Sequence, residues 1–593
     1  MKPFWKVVFG GCLGSLIAFI LVNLILFSLI GSMVSSLGSQ TQQPVVPKNA
    51  ILKIDMSSPI TERGGQSFDF NLLGGSLSSL NMNEATSVLD AVQALEVAAA
   101  DPQVRFVYIK PDNMTIDIAL AEELRAALAR FRESGKPVIA YCQGLSGGSY
   151  YLASVADKVI LNAYGDCMIT GMSSNLMYYK DLIDHLGIDI QLIRHGKYKS
   201  AGEPYIRSEM SRENREQYEQ LLGTIWGTLS EAVASSRDFT AEQYDAWIDE
   251  LSITTADAAL EKGLVDELWY DDQVREYFRT LCGVKEVKDL NYVSLHDYAL
   301  AKVRSNIRAR DKVAVIHADG EIVMDDQGDG SIGNNFAREI AAVRMDPSVK
   351  AVVFRVNSPG GSVQASAAIE REIALLKESK PVVASYGGYA ASGGYWISCG
   401  ADRIFSDKTT LTGSIGVFGL IPSFGKALKK NVHLNVFEVS THKHGSLASG
   451  FAPLDPEEEA VMQQQIDKTY DDFVGRVAAG RNLTTEAVDE IAQGRVWAGG
   501  DAIKIGLVDE LGGLTDAIRY AAATAGLENY RLVEYPAVLP LYEQMLSSMN
   551  EQGTEQDVKS DVAGLTDRTA RWLLGLRGPE IAARMETIEL KLK

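Results

Sequence analysis

The stretch Tyr386-Gly-Gly-Tyr389-Ala-Ala-Ser392-Gly-Gly-Tyr-Trp396 sets one serine among small residues. It follows a short apolar run, Pro381 to Ala384, that reads as a buried strand, and it leads into an apolar segment that reads as the start of a helix. Small neighbours at such a turn let a substrate carbonyl and backbone donors approach the hydroxyl, as a serine nucleophile requires. The spacing is not the Gly-x-Ser-x-Gly of the hydrolase elbow, so a glycine-rich packing turn with an incidental serine is the other reading.

A serine hydroxyl is a weak nucleophile unless a base takes its proton, and histidine is the usual base. The seven histidines are scattered, no His-Glu-x-x-His occurs, and their one cluster is Thr441-His-Lys-His444. A lysine can serve instead if burial away from carboxylates lowers its pKa toward neutrality. Gly196-Lys-Tyr-Lys199-Ser-Ala follows an alternating pattern, Ile188, Ile190 and Leu192, and the small residues after Lys199 suit a packed site. Lys197 and Lys443 compete for that role, and an ordinary solvated lysine is the plainer reading. Gly360-Gly361, just after an apolar run, can turn two backbone N–H groups toward an anion. Alone the pair reads as a phosphate-binding turn; together with Ser392 it suits an oxyanion hole.

The elements that must position these residues are written twice. Asp101-Pro-Gln-Val-Arg-Phe-Val-Tyr returns as Asp346-Pro-Ser-Val-Lys-Ala-Val-Val, Lys136-Pro-Val-Ile-Ala as Lys380-Pro-Val-Val-Ala, and Gly263-Leu-Val-Asp-Glu-Leu268 as Gly506-Leu-Val-Asp-Glu-Leu511. Matches in one order at nearly one spacing indicate a duplicated domain rather than a short-period solenoid. Within each copy apolar runs alternate with helical patterns, for example Lys312–His317, Asn335–Met345, Ala351–Val356 and Ala365–Glu378 in the second. That alternation predicts a parallel sheet with crossover helices, an α/β fold repeated in tandem. The copies differ where chemistry is expected: Gly147 stands opposite Ser392, Thr115-Ile116 opposite Gly360-Gly361, and Met172 opposite Ser414.

Composition bounds the rest. A chain of 593 residues exceeds one core. A net charge of −20 makes nucleic acid an unsuitable partner. Five cysteines, Cys12, Cys142, Cys167, Cys282 and Cys399, form no Cys-x-x-Cys pair and signal neither a disulfide scaffold nor a zinc site. Val7 to Ile30 is uncharged and long enough to span a bilayer as a retained anchor, with Lys2 and Lys6 before it. That asymmetry predicts a cytoplasmic N-terminus and a body beyond the membrane. The expected organisation is an anchor and tether over 1–49, a first α/β repeat over 50–309, a second over 310–535 and a tail over 536–593. The tail reads as an exposed linker with a short amphipathic helix near Arg571.

The anchor, the duplicated domain, Gly-Lys-Tyr-Lys199-Ser-Ala and Ala-Ala-Ser392-Gly-Gly-Tyr-Trp together resemble the long form of the signal peptide peptidase A family, also called protease IV, over essentially the whole chain. The resemblance implies tandem Clp protease/crotonase-like domains. It implies Ser392 as nucleophile and Lys199 as general base, a Ser-Lys dyad split between the halves, with Gly360 and Gly361 at the oxyanion. Leu-Thr-Gly-Ser414-Ile-Gly also resembles the family, and its hydroxyl is expected to orient the lysine. Further implications are a homotetramer on the periplasmic face of a bacterial inner membrane, extended apolar peptides as substrates, residual signal peptides among them, and no metal or organic cofactor. Two other readings stand beside it, a crotonase-like acyl-CoA enzyme and an inactive peptide-binding scaffold. Cys399 and the tail after Tyr535 have no place in the common pattern.

Overall fold

The computed structural model of the chain describes residues 44–67, 83–324, 331–537, 582–585 and 591–592. The apolar run Val7–Ile30 and the tract around Arg571 lie outside the described residues. Among those described, no helix is long and apolar enough to cross a membrane.

Two parallel sheets carry the two halves. In the first, strands run in the order Glu267–Leu268, Lys158–Cys167, Val138–Leu145, Val104–Lys110, Ala50–Asp55, Asn291–Ser294. In the second the order is Val496–Ala498, Leu411–Gly413, Val382–Ala391, Val349–Ser358, Lys312–Asp319, Arg531–Tyr535, with Val496–Ala498 antiparallel to its neighbour. The central strands are near-continuous runs of buried Val, Ile, Leu and Ala, the pattern of a sheet covered on both faces. Crossover helices start at side-chain caps, Ser87 before Val88–Ala100 and Asp117 before Ile118–Arg132.

The duplication extends beyond the sheets. Arg212–Ala234 is capped by Ser211 and Pro456–Arg481 by Asp455, and the caps stand 244 residues apart (211 to 455). One boundary differs from the sequence reading. The strand expected to end before Tyr386 continues from Val382 to Ala391, because a register shift after Val356 lets Ser358 pair with Ala390 across the glycines.

A third, six-stranded sheet joins the halves. Its order is Ser331–Ile332, Glu321–Ile322, Gly360–Ser362, Ala582–Arg584, Val417–Ser423, Asp189–His195. Asp189–His195, from the first half, lies antiparallel to Val417–Ser423 over seven residue pairs. Ala582–Arg584 comes from the segment read as an exposed tail, yet it lies inside this sheet.

Beneath this junction Arg355 is buried. Its guanidinium donates to Glu62 at 2.8 and 3.0 Å and to Glu123 at 2.7 Å, both in the first half, and to Ser385 Oγ and the Tyr386 carbonyl in the second. Burial works to lower its pKa, but Glu123 and Glu62 outweigh that and hold it above the ordinary arginine value. Arg495 makes a second lock, donating to Tyr198 Oη at 3.2 Å and lying against the rings of Tyr198 and Trp497.

Candidate active site

Ser392 ends the strand Val382–Ala391 and caps the short helix Gly393–Trp396 with φ 56° and ψ −116°. A left-handed φ at a non-glycine residue is a strained conformation, and it turns the side chain out of the sheet at a strand-to-helix corner. The corner is held by neighbours: the Ser392 N–H donates to the Gly413 carbonyl at 2.8 Å, and Thr412 Oγ1 donates to the Ala390 carbonyl at 2.8 Å. The nucleophile geometry of a hydrolase elbow is therefore present without its Gly-x-Ser-x-Gly spacing.

Lys199 follows Asp189–His195 and carries its Nζ across into the second half. There it lies 2.7 Å from Ser392 Oγ, 3.0 Å from Ser414 Oγ and 3.0 Å from the Ser414 carbonyl. Lys199 is 1% exposed, and burial alone holds its pKa well below the ordinary lysine value. A neutral amine has two protons and one lone pair. The Ser414 carbonyl can only accept, Ser414 Oγ can accept the second proton, and the Ser392 hydroxyl is left to donate to the lone pair. Three contacts thus match one neutral amine.

Backbone contacts set this reach. Arg194 donates to the Lys199 carbonyl at 2.8 Å and to Glu203 at 3.1 Å, fixing the turn that carries the lysine. Gln493–Arg495 of the second half closes over it: the Tyr198 N–H donates to the Gln493 carbonyl at 2.9 Å, and the Ser414 N–H to the Arg495 carbonyl at 2.7 Å. Between them Gly494 has φ 79°, and a Cβ there would stand 2.6 Å from Lys199 N and Cβ. Only glycine permits both that conformation and that approach. The sequence reading missed Gly494, whose signal is a lone glycine in Gln493-Gly-Arg.

Gly360 and Gly361 form a short strand beside the helix that Ser392 caps, with φ 97° and 155°. A Cβ on Gly361 would stand 1.9 Å from the Ile322 carbonyl oxygen, so side chains are excluded. The Gly360 N–H lies 3.2 Å from Ser358 Oγ. Gly393, also unremarked in the sequence, carries the first N–H of the short helix, which has no acceptor within it.

The rival lysines fall outside. Lys197 is exposed, with its Nζ over the Tyr198 ring. Lys443 is exposed and bonded to Glu457 at 2.6 Å, a hydrogen bond that raises its pKa. Cys399 is a core residue whose thiol burial pushes up to about 12. His444, Asp455 and Glu458 come close enough together to share an ion, but they are surface groups, and Asp455 already caps a helix with its carboxylate.

A groove of about 440 Å³ opens next to this centre, with Leu176, Met177, Tyr205, Phe418 and Leu420 among its walls. The arrangement can deprotonate a serine in a dry pocket beside a slot shaped for extended backbone.

Comparison with known proteins agrees with this architecture. Residues 130–285 and 374–528 match the profile of Peptidase family S49, and residues 304–409 match that of Clp protease. Protease 4 of Salmonella typhi is 36% identical over 526 residues, covering 86% of this chain and 84% of that protein. Protease 4 of Haemophilus influenzae is 36% identical over 462 residues, 75% of this chain and 74% of that one. The chloroplastic serine protease SPPA of Arabidopsis thaliana is 31% identical over 485 residues, covering 80% and 70%.

Proposed function

The chain belongs to peptidase family S49 and is a serine protease with tandem S49 repeats and Clp protease-like domains, and from that premise we propose that it is a membrane-anchored endopeptidase that degrades residual signal peptides with a Ser392–Lys199 dyad. The contact that carries the mechanism is Lys199 Nζ to Ser392 Oγ, 2.7 Å in a buried pocket. Ser392 Oγ attacks the peptide carbonyl and its proton passes to Lys199. The oxyanion is stabilised by the N–H groups of Gly360 and Gly361. The lysine then protonates the leaving amine, and water repeats the sequence on the acyl-enzyme. Ser414 orients the amine so that its lone pair faces Ser392. Metal or organic cofactor has no part in this sequence of steps.

Substrate class is supported by the place between Gly360–Ser362 and Val417–Ser423, one strand wide and held here by Ala582–Arg584, and by the groove beside it with Leu176, Met177 and Phe418 in its walls. The uncharged run Val7–Ile30, preceded by Lys2 and Lys6, supports an anchor in a bacterial inner membrane with the body on the periplasmic side. Anchoring would hold the site near peptides left in the bilayer.

A homotetramer is part of the reading, and the duplication supports it. His433–Val439 stands 244 residues after Asp189–His195, and Ser173–Tyr179 the same distance before Val417–Ser423. The first pair of equivalents meets inside the chain; of the second, His433–Val439 is exposed throughout, with Phe437 at 87% and Val439 at 98%. Repeating the internal contact between copies gives a head-to-tail interface, the kind that builds a ring where its rotation closes.

The test is cleavage of a synthetic signal peptide by the detergent-solubilised full chain. Cleavage within the apolar core, lost in Ser392→Ala, is expected; a chain that a serine-directed phosphonate labels but that leaves every apolar peptide intact would overturn the substrate assignment.

A further inference from the structure

Tyr470 touches both sides of the junction that carries the lysine. It lies in the second-half helix Pro456–Arg481 and is 2% exposed. Its ring stacks on His195, the last residue of the strand before the Lys199 turn, with centroids 3.9 Å apart and planes 13° from parallel. His195 Nδ1 in turn lies 2.7 Å from Asp467 Oδ1 of the same helix. The Tyr470 hydroxyl reaches the other side. It donates to Asp489 Oδ1 and accepts from the Gln493 N–H at 3.3 Å and from Gln493 Nε2 at 3.2 Å. An ionised carboxylate can only accept, so the phenol proton belongs to Asp489 and both lone pairs are left for Gln493. Gln493 Nε2 also donates to Asp489 Oδ1 at 2.6 Å.

These bonds hold Gln493 at φ 55°, a left-handed conformation uncommon for a residue with a side chain. What the conformation achieves is contact with the lysine turn. The Gln493 carbonyl accepts from the Tyr198 N–H at 2.9 Å, and a Cβ on Gly196 would stand 2.5 Å from its carbon and oxygen. Gly494 follows directly, pressed against the Lys199 backbone and donating to the Ile415 carbonyl at 2.7 Å. The charged groups that face Tyr470 are Asp489, Asp471 and His195 with Asp467. None of them acts on Lys199, whose pKa is lowered by burial alone. The packing that seals this turn therefore sets the basicity of the amine.

We propose that Tyr470 is a positioning residue for the dyad: its hydroxyl fixes Gln493 over the lysine-bearing turn and so keeps water from the Lys199 amine. The proposal rests on the Ser392–Lys199 reading for its effect on catalysis, but not for the clamp itself. Loss of the hydroxyl frees Gln493, water reaches the amine, and a hydrated amine keeps its proton to higher pH. A base whose pKa rises by about one unit is about tenfold less deprotonated below its midpoint and equally deprotonated far above it. A dyad merely displaced would instead lose activity by the same factor at every pH.

The experiment records kcat/KM for a fluorogenic apolar peptide from neutral to alkaline pH with the full chain, Tyr470→Phe, Asp489→Leu and Asp489→Asn. Tyr470→Phe keeps the ring on His195 and removes only the oxygen. It is expected to move the midpoint of the acid limb up by about one pH unit, a ~10-fold loss below that midpoint, with the alkaline plateau kept. Asp489→Leu, which leaves the phenol proton without its acceptor, should move the limb the same way, and it carries the comparison if Tyr470→Phe does not fold. Asp489→Asn, whose amide oxygen still accepts that proton, should keep the wild-type profile. An unmoved midpoint in the active variants, a loss of equal size at every pH, or an Asp489→Asn profile shifted as far as that of Asp489→Leu overturns the proposal. Should the wild type neither cleave peptide nor react with a serine-directed phosphonate, the dyad reading fails. Hydrogen exchange at the Tyr198 amide still decides the clamp, and equal exchange in wild type and Tyr470→Phe refutes it.

Discussion

Lys199 Nζ lies 2.7 Å from Ser392 Oγ although the two residues are 193 positions apart and stand in different copies of the duplicated domain. Neither copy holds both groups, since Gly147 occupies the place of Ser392 in the first and Lys443 is on the surface in the second. The centre is a property of the junction.

Removing either member should therefore abolish turnover. Ser392→Ala and Lys199→Ala are each expected to lower kcat by about 10⁴-fold or more, as in other nucleophile–base units. Lys443→Ala should retain activity within about twofold. Hydrolysis of a fluorogenic apolar peptide measures all three, and an active Lys199→Ala would displace the base.

Lys199 also makes a prediction about pH. Burial lowers its folded pKa, so between that value and the unfolded value near 10.4 the unfolded chain binds one proton more than the folded chain. Stability from this group therefore rises with pH through that window and is lost as pH falls. Thermal unfolding of the wild type minus that of Lys199→Met should increase from pH 7 to about pH 10. Activity has the same sign: kcat/KM should rise with pH as the amine loses its proton.

Gly494→Ala tests the clamp. The added methyl meets Lys199 backbone at a position with positive φ, so the lysine must shift by a fraction of an ångström. A displacement of that size costs about 10²-fold in kcat, read by peptide hydrolysis against the wild type.

Arg355→Met leaves Glu62 and Glu123 buried without their cation. The expected loss is about 3–5 kcal/mol in denaturant unfolding, and it should shrink at low pH as Glu123, whose pKa burial raises, takes up a proton.

For the assembly, Phe437→Asp and Val439→Asp place charge on the exposed strip and should reduce the particle to a single chain. Light scattering on the purified protein reads the mass directly, and an unchanged mass removes this strip from the interface.

Much of this was legible in sequence because it is local. Ser392, Gly360 and Gly361 sit in short strand-to-helix turns whose composition announces them, and the repeated phrases reveal the two sheets. Lys199 was narrowed but not isolated, since Lys443 stands at the equivalent place and differs from it only in burial. What stayed hidden depends on contacts between distant segments. The Arg355 cluster joins residues up to 293 apart, and neither Glu62 nor Glu123 stands in a motif. The seat of Ala582–Arg584 depends on a strand, Gly360–Ser362, whose own sequence is three small residues. Hydrophobic periodicity reports which face of an element is buried, not which partner buries it.

The split centre also orders events during synthesis. At ~5–20 residues per second the ribosome needs roughly 10–40 s to travel from Lys199 to Ser392, and through that interval the emerging first half has a base with nothing to deprotonate. The serine arrives next, the Gln493–Arg495 clamp after it, and residues 582–585 last of all. A nascent chain thus holds no complete dyad until Ser392 has been made, and the strand that lies in its cleft is made after the residues that build it.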